Sequence, residues 1–220
     1  MIAPWLHTMP SSKSSQRQTR FSGTKKASLK AAKPGAIRII SGKDRGRKLP
    51  VLSSEGLRPT TNRVKETLFN WLMQDIIGAS VLDMFAGSGS LGFEAHSRAA
   101  QQVILVEKDI KAAKQLDINI VTLNAQDSVS VLCGDALSAV STIQTRFNIV
   151  FIDPPFFKNL ADISIASLIE QDKLTHDALI YVESEASHPA FVHPQINKIK
   201  EQSTHQVCYR LYRYSEHEST

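Results

Sequence analysis

The sequence predicts an α/β fold in which helices cover a mostly parallel β-sheet. Five short apolar runs alternate with segments that have the composition of helices, which is typical of a parallel sheet buried on both faces. The apolar runs are residues 80–87, 102–109, 129–135, 148–155 and 178–186. One predicted helix ends at Ala95, and three others span residues 110–124, 137–143 and 163–170. Residues 205–214 instead alternate, with apolar residues at 207, 209 and 211, and this predicts a final antiparallel strand.

Composition restricts the class of protein. The chain has 220 residues, of which 42% are hydrophobic, and this suits one globular domain with a proper core. No run of 18 apolar residues is present, so we expect no membrane-spanning helix. Cys133 and Cys208 lack C-x-x-C spacing, and the histidines, His96 and His176 among them, lack H-E-x-x-H spacing. We therefore expect a monomer without a metal ion or a disulfide, in the cytoplasm.

Charge is distributed unevenly along the chain. Residues 1–65 contain 15 Lys and Arg against 2 Asp and Glu, whereas residues 66–220 contain 11 against 19. A basic front end on an acidic body is typical of a protein that binds nucleic acid, although a solvated tail has the same composition. Residues 1–36 contain no acid and lack hydrophobic periodicity, which predicts a disordered basic tail. A mitochondrial transit peptide is a less favoured interpretation, and Met9 is an alternative start.

A hairpin and a helix are predicted after the tail. Two β-prone runs within residues 37–51 flank the sequence GKDRG, and this hairpin is basic. Pro59 and the polar residues 60–62 then predict a helix start, with apolar positions 64, 68, 71 and 72 on one face. Arg63 lies off that face, where it meets either phosphate or solvent. We expect the hairpin extension to cover residues 37–57 and the main domain to cover residues 58–220.

A glycine-rich turn follows the first apolar run of the sheet. Gly87, Gly89 and Gly92 form G-x-G-x-x-G, which allows a tight turn and close approach of the backbone to a ligand at a helix N-terminus. Glu107 ends the second predicted strand, 20 residues after Gly87, where a carboxylate can accept hydrogen bonds from ribose hydroxyls. The motif alone fits NAD as well as any other adenosine cofactor, and a turn that binds no ligand has the same pattern.

Two further carboxylates favour S-adenosylmethionine as the cofactor. Asp83 lies four residues before Gly87, at the predicted end of the first strand, where it suits the ammonium of the methionine moiety and would repel a pyrophosphate. Asp135 ends the third run and can accept a hydrogen bond from the adenine amino group, although a helix-cap aspartate is the alternative. Because the strand ends of an open α/β sheet meet at one crevice, we expect these side chains to lie together.

The fourth apolar run ends in the D-P-P-F loop, residues 153–156. Two prolines cannot continue a sheet, so we expect a rigid loop that carries a carboxylate and an aromatic ring into the crevice. Asp153 and the carbonyl of Pro154 can accept the N–H groups of an exocyclic amine, and Phe156 can stack on its base. A structural proline turn explains the prolines but not the acid and the ring together. The loop predicts methyl transfer to the amino group of a nucleobase that has left its stack or lies in a single-stranded loop.

Several motifs in order resemble a known family. D-P-P-F is similar to the [D/N/S]-P-P-[Y/F/W] signature of amino-group methyltransferases. Together with IRIISGKDRGRKLPV, GLRPTTNRVKETLFNWL, LDMFAGSGSLGFEA and ALIYVESE, it makes residues 37–214 resemble the RsmD family. The resemblance implies a Rossmann-like class I methyltransferase fold, with a mostly parallel seven-stranded sheet, an antiparallel C-terminal strand and a basic N-terminal β-hairpin. It also implies methyl transfer from S-adenosylmethionine to N2 of one guanine in 16S rRNA, as RNA or within the small ribosomal subunit.

The resemblance also implies roles for particular residues. Catalysis is expected of Asp153, Pro154, Pro155 and Phe156. Cofactor binding is expected of Asp83, Phe85, Gly87, Ser88, Gly89, Glu107, Lys108, Asp135 and Ala136. RNA contact is expected of Arg38, Lys43, Arg45, Arg47, Lys48, Arg58, Thr60 and Arg63.

Three other functions stay open at this point. Methyl transfer to adenine N6 or cytosine N4, in DNA or RNA, fits the same loop because all three targets are amino groups of planar rings. An NAD-dependent oxidoreductase fits the glycine motif, but Asp83 and the D-P-P-F loop disfavour it. A non-catalytic RNA-binding or ribosome-assembly protein with the same fold would bind RNA without methyl transfer.

Overall fold

The computed structural model describes residues 35–52, 62–156 and 158–216. The strands are β1 Gly35–Arg38, β2 Lys48–Val51, β3 Ser80–Asp83, β4 Gln102–Glu107, β5 Val129–Cys133, β6 Phe147–Ile152, β7 Leu174–Glu185, β8 Ile196–Ser203 and β9 Val207–Tyr214. The helices are α1 Asn62–Trp71, α2 Ser90–Ser97, α3 Ile110–Leu123, α4 Ala136–Thr142 and α5 Leu160–Glu170. Apart from Gly35 and Ala36, the predicted basic tail lies outside the described residues.

Seven strands form one sheet in the order β5-β4-β3-β6-β7-β9-β8. The first five of these strands are parallel, and β9 is antiparallel to both β7 and β8. This confirms the predicted mostly parallel seven-stranded sheet with an antiparallel C-terminal strand. The strands next to β3 in space are β4 and β6, so the order reverses there, and the crevice at such a point is where open α/β sheets bind ligands.

The hydrophobic pattern of the sequence does not predict β8, although the family resemblance implies seven strands. Seven of its eight residues are exposed, so the apolar pattern that marks the other strands is missing. It is an edge strand, and Lys198, Lys200 and Glu201 are the charged residues that commonly protect such an edge from further pairing. The last strand in the chain, β9, is inserted between β7 and this edge.

Two apolar clusters hold the sheet between its layers. Val81 and Phe151 pack on the face that carries the hairpin, α1, α2 and α3, whereas Leu82 and Ile152 pack on the face that carries α4 and α5. Successive side chains of a strand alternate between faces. Asp83 at the end of β3 and Asp153 directly after β6 therefore lie on the same face as Val81 and Phe151, beneath α1 and α2.

Helix α1 begins where the sequence predicts, and one of its buried residues is charged. Leu68 and Leu72 are buried as expected from the apolar face. Lys65 is only 1% exposed, and its ammonium donates to the carbonyl of Arg38 at 2.7 Å and lies 3.4 Å from the carboxylate of Glu94. These contacts fix α1 to both the hairpin and α2.

Strands β1 and β2 form the predicted N-terminal hairpin. Its tip packs on the last residues of two helices. The backbone N–H of Lys43 donates to the carbonyl of Ser97 at 2.8 Å, and the guanidinium of Arg47 donates to the carbonyl of Thr122 and pairs with Asp44 at 3.2 Å. Helix α3 starts at the carboxyl edge of the sheet and has 14 residues. The tip therefore lies about 20 Å from that edge.

Within the three described segments, no helix is both long enough and apolar enough to span a membrane.

Candidate active site at the carboxyl edge of the sheet

A cavity of about 1770 Å³ opens at the carboxyl ends of the parallel strands. It collects most of the residues to which the sequence assigns cofactor binding and catalysis. Those that line it are Phe85, Gly87, Ser88, Glu107, Lys108, Asp135, Ala136, Asp153, Pro154, Pro155 and Phe156. Asp83 and Gly89 lie behind its wall rather than on it.

The glycine turn has a backbone that requires glycine. Gly87 and Gly89 have φ angles of 51° and 74°, in the left-handed region. A Cβ on Gly89 would lie 2.5 Å from the ring of Phe93, and one on Gly92 would lie 2.1 Å from Leu105. The turn therefore packs tightly against α2 and β4 and leaves the backbone of Gly87 facing the cavity.

Glu107 connects the glycine turn to the end of β4. One carboxylate oxygen accepts the N–H of Gly87 at 2.8 Å, and the other accepts the N–H of Asp109 at 2.7 Å. Each oxygen has a second lone pair that can accept from a ligand. Glu107 therefore fixes the shape of the turn and still presents acceptors to the cavity.

Asp83 caps the first turn of α2. Its Oδ2 accepts the N–H of Gly92 at 3.1 Å, and the residue is only 2% exposed. Burial, together with the charges of Asp153 and Glu107, raises the pKa of Asp83 to about 7, although the N–H groups of Gly92 and Phe85 oppose the shift. Its carboxylate therefore acts on the cavity mainly through its charge and through the loop it holds.

Asp135 is the N-cap of α4, which was the alternative interpretation of this residue. Its side chain accepts from the backbone N–H and the hydroxyl of Ser138, both at 3.3 Å. The ammonium of Lys108 lies 3.8 Å from the other oxygen, and both side chains are exposed at the cavity border. The predicted contact with adenine stays a prediction, since a capping carboxylate retains free lone pairs.

The D-P-P-F loop leaves β6 directly into the cavity. Asp153 is partly buried, Pro154 is buried, and the ring of Phe156 is partly exposed. Burial raises the pKa of Asp153 to about 6, so the carboxylate is mostly ionised at neutral pH. The loop therefore presents a hydrogen-bond acceptor and an aromatic ring to one space.

Glu183 and Tyr181, which sequence reasoning did not select, also line the cavity. They lie on β7, and the hydroxyl of Tyr181 donates to Oε1 of Glu183 at 2.9 Å. Burial and the charge of Asp153 raise the pKa of Glu183 to about 8. The sequence feature that could have identified Glu183 is a glutamate near the end of an otherwise apolar run, which is the same feature that identified Glu107.

Basic residues border the cavity, but not all of those that the sequence predicts. Arg63 of α1 lines it, together with Lys111 and Lys158, which sequence reasoning missed. The other described members of the predicted RNA-contacting set, at positions 38, 43, 45, 47 and 48, lie on the hairpin and do not line it. Arg58 and Thr60 lie outside the described residues.

Among the described residues, no group of three or more His, Cys, Asp and Glu is arranged to hold a metal ion. Cys133 is exposed and Cys208 is buried, and both are free thiols.

Comparison with known proteins connects this site to a family. The family described as Conserved hypothetical protein 95 matches residues 37–213. The Ribosomal RNA small subunit methyltransferase D of Haemophilus influenzae is 50% identical over 181 residues, which cover 81% of this chain and 94% of that protein. The protein of the same name from Escherichia coli is 48% identical over 179 residues, which cover 81% and 90%.

A solved structure has the same architecture over the same part of the chain. The Escherichia coli protein yhhF superimposes with a TM-score of 0.76 and 47% sequence identity, covering 82% of this chain and 99% of its own. The matched segment contains the hairpin, the glycine turn and the D-P-P-F loop. The chain therefore belongs to the Conserved hypothetical protein 95 family, which is the RsmD family that its motifs resemble.

Proposed function

We propose that this protein transfers a methyl group from S-adenosylmethionine to the exocyclic N2 amine of a guanine in 16S rRNA, within the small ribosomal subunit or its precursor. One observation carries the proposal: the D-P-P-F loop lines the same cavity as Gly87 and Glu107. An acceptor for an amine and a turn suited to an adenosine cofactor therefore face one space. The names of the two relatives, both small-subunit rRNA methyltransferases, support RNA as the substrate.

The acidic character of the cavity edge supports this cofactor over NAD. Asp83, Glu107 and Asp153 lie close enough that the charges of Glu107 and Asp153 raise the pKa of Asp83. A ligand with net positive charge stabilises such an edge, whereas a pyrophosphate is repelled by it. S-adenosylmethionine supplies a methyl group on a sulfonium, whose leaving group is a neutral thioether. Gly87, Glu107 and Asp135 would hold its adenosine part.

Asp153 would hold the amine and accept its proton. At neutral pH its carboxylate is mostly ionised, so it can accept one N–H while the carbonyl of Pro154 accepts the other. As the bond from N2 to the methyl carbon forms, the bond from that carbon to sulfur breaks, and its electron pair stays on sulfur. The surplus proton of N2 then passes to Asp153 and to solvent. Catalysis comes chiefly from alignment, with stacking on Phe156 worth ~1–3 kcal/mol.

The RNA would reach the cavity along its basic border. Arg63, Lys108, Lys111 and Lys158 lie around the opening and can neutralise phosphates next to a flipped-out base. The hairpin tip lies about 20 Å away, so its basic residues would contact a different part of a large RNA. This division assigns positioning of the target to the cavity border and additional affinity to the hairpin.

The test is to incubate the full chain with labelled S-adenosylmethionine and small-subunit particles from cells that lack the gene. Digestion to nucleosides is expected to yield labelled N2-methylguanosine. Labelled N6-methyladenosine or N4-methylcytidine would instead establish one of the other amino-group targets. RNA binding without any transfer would leave only the non-catalytic alternative.

The role of Asp153 has a direct test. Asp153→Ala is expected to lower kcat by ~10²–10⁴-fold, the usual contribution of a positioned acid–base group, while the affinity for S-adenosylmethionine changes little. The matched control is Asp117→Ala, an exposed residue of α3, which should keep both. Equal loss of transfer and of cofactor binding would show that the loop serves folding rather than catalysis.

A further inference from the structure

Asp153 and Glu183 form a pair of carboxylates at the ends of neighbouring strands. Ile152, the last residue of β6, is in register with Val182 of β7, and each carboxylate belongs to the residue that follows in the chain. Parallel neighbours lie ~4.8 Å apart, and residues two apart on a strand share a face. The rings two positions earlier, Phe151 and Tyr181, meet edge to face at 6.4 Å. Both carboxylates therefore project from the same face of the sheet, and both line the cavity.

Among the described residues, a tyrosine hydroxyl rather than a cation holds the side chain of Glu183 in place. The residue is 6% exposed, and Tyr181, which is fully buried, donates its hydroxyl to Oε1. Across residues 35–52, 62–156 and 158–216, Glu183 forms no ion pair with Lys, Arg or His. A buried carboxylate without a cation lowers the stability of a protein. A role in binding at the cavity accounts for a group that folding alone disfavours.

The edge of a guanine base has a donor next to its N2 amine. That donor is N1–H, whereas the ring nitrogens beside the amines of adenine and cytosine are acceptors. If Asp153 holds the amine, an acceptor beside Asp153 meets N1–H in guanine and a lone pair in the other two bases. A site whose buried polar group is left unpaired rejects the wrong substrate strongly.

We propose that Glu183 accepts the N1–H of the guanine whose N2 amine Asp153 holds, and that this contact selects guanine over adenine and cytosine. The inference rests on the proposed function. Tyr181 is a positioning residue in this arrangement, because its hydroxyl orients the carboxylate of Glu183. Discrimination requires the ionised carboxylate, because a protonated carboxyl can also donate its O–H to the ring nitrogen of a wrong base. The ionisable neighbours of Glu183 are Asp153 directly after β6, Asp83 on β3 and Tyr181 on its own strand.

The test uses 2-aminopurine, which keeps the N2 amine but has an acceptor at N1. The target guanine is first located by sequence-specific cleavage of the labelled RNA into fragments. It is then replaced by 2-aminopurine in a semisynthetic small-subunit RNA. Transfer is measured at pH 8.5, above the pKa of about 8 of Glu183. The wild type should prefer guanine by ~10–100-fold in kcat/KM, which is the discrimination of one good base contact. Loss of O6 affects every variant alike and cancels in the comparison.

Glu183→Gln should lower the wild-type preference by about 10-fold or more, because an amide can donate to N1 of 2-aminopurine as well as accept from N1–H. Glu170→Gln, an exposed residue of α5, is the matched control and should keep the wild-type ratio. Tyr181→Phe should lower the preference partly, and it serves if Glu183→Gln fails to fold. An unchanged ratio in the folded variant overturns the inference. Absence of transfer to guanine by the wild type would instead overturn the proposed function.

Discussion

Replacing Glu94 with glutamine should remove a buried negative charge of α2 that contacts both the hairpin and α1. The side chain of Glu94 is 0% exposed. Its two oxygens accept from the backbone N–H groups of Ile40 at 2.9 Å and Ser41 at 3.0 Å, and from the guanidinium of Arg98 at 2.9 Å. The ammonium of Lys65 lies 3.4 Å away. One carboxylate thus holds two other segments of the chain to α2.

The expected loss follows from these contacts. Glutamine keeps one acceptor oxygen but loses the charge, so the ammonium of Lys65, whose side chain is 2% exposed, loses its counter-ion. Burial lowers the pKa of Lys65 while Glu94 opposes that shift, so the pair is mutually dependent. Breaking a buried pair from one side costs ~3–5 kcal/mol. Because Lys65 still donates to the carbonyl of Arg38, we expect a loss of about 3 kcal/mol.

Urea unfolding followed by circular dichroism measures this loss. Glu66→Gln is the matched control, since Glu66 is an exposed residue of α1, and it should change the free energy of unfolding by less than ~0.5 kcal/mol. The double variant Glu94→Gln with Lys65→Met should lose less than the sum of the single variants, because it removes both charges. A free energy of unfolding for Glu94→Gln within ~1 kcal/mol of wild type would refute the reasoning.

Three further outcomes are expected. The raised pKa of Asp83 means that the folded state binds more protons than the unfolded state, so the free energy of unfolding falls as pH rises. Between pH 5 and pH 7, urea unfolding should show that the wild type loses on the order of 2 kcal/mol more than Asp83→Asn. Equal losses would contradict this. Gly89→Ala should lower the free energy of unfolding by ~1–3 kcal/mol, because Gly89 has a positive φ and the ring of Phe93 is close. Gly134→Ala should be neutral, because there is open space around that residue. Similar melting temperatures for the two variants would count against the tight turn. Arg63→Gln should lower RNA affinity, and it should reduce the slope of the logarithm of the binding constant against the logarithm of salt concentration by ~0.7–0.9. Lys114→Gln, a change outside the cavity, should do neither. Identical slopes for the two variants would show that Arg63 does not contact the RNA.

The sheet could be predicted because its strands are buried on both faces. Continuous apolar runs marked β3 to β7, and alternation marked β9, so the parallel sheet and its antiparallel strand follow from hydrophobic pattern alone. β8 gives no such signal, since as an exposed edge strand it buries one residue, and its pairing is decided by β9 rather than by its own composition. Local pattern therefore detects strands of the interior and misses an exposed edge strand that pairs with a strand later in the chain.

The glycine turn and the D-P-P-F loop could be predicted because their residues are adjacent in sequence. Lys65 and Glu94 could not be paired, because nothing local indicates that a lysine of α1 is buried beside α2. The position of the basic hairpin relative to the cavity could not be predicted from the sequence either. Its charge suggested proximity to the target, yet its tip is fixed to the far ends of α2 and α3 by contacts of Lys43 and Arg47.

The acidic edge of the sheet is a product of topology. Asp83, Asp153 and Glu183 come from three separate apolar runs, and only the strand order β3-β6-β7 brings them side by side. In the part of the chain that the structure covers, none of the three forms an ion pair with a cation. The charges of Asp83 and Asp153 raise the pKa of Glu183, and the charge of Glu183 raises the pKa of Tyr181. Such an arrangement lowers stability until a ligand with positive charge or N–H donors reaches it. Asp153, whose pKa is about 6, is mostly ionised at neutral pH and adds its negative charge to that of Asp83, so the two together disfavour a pyrophosphate cofactor more than Asp83 does alone. Glu183, whose pKa is about 8, adds its charge only above that pH.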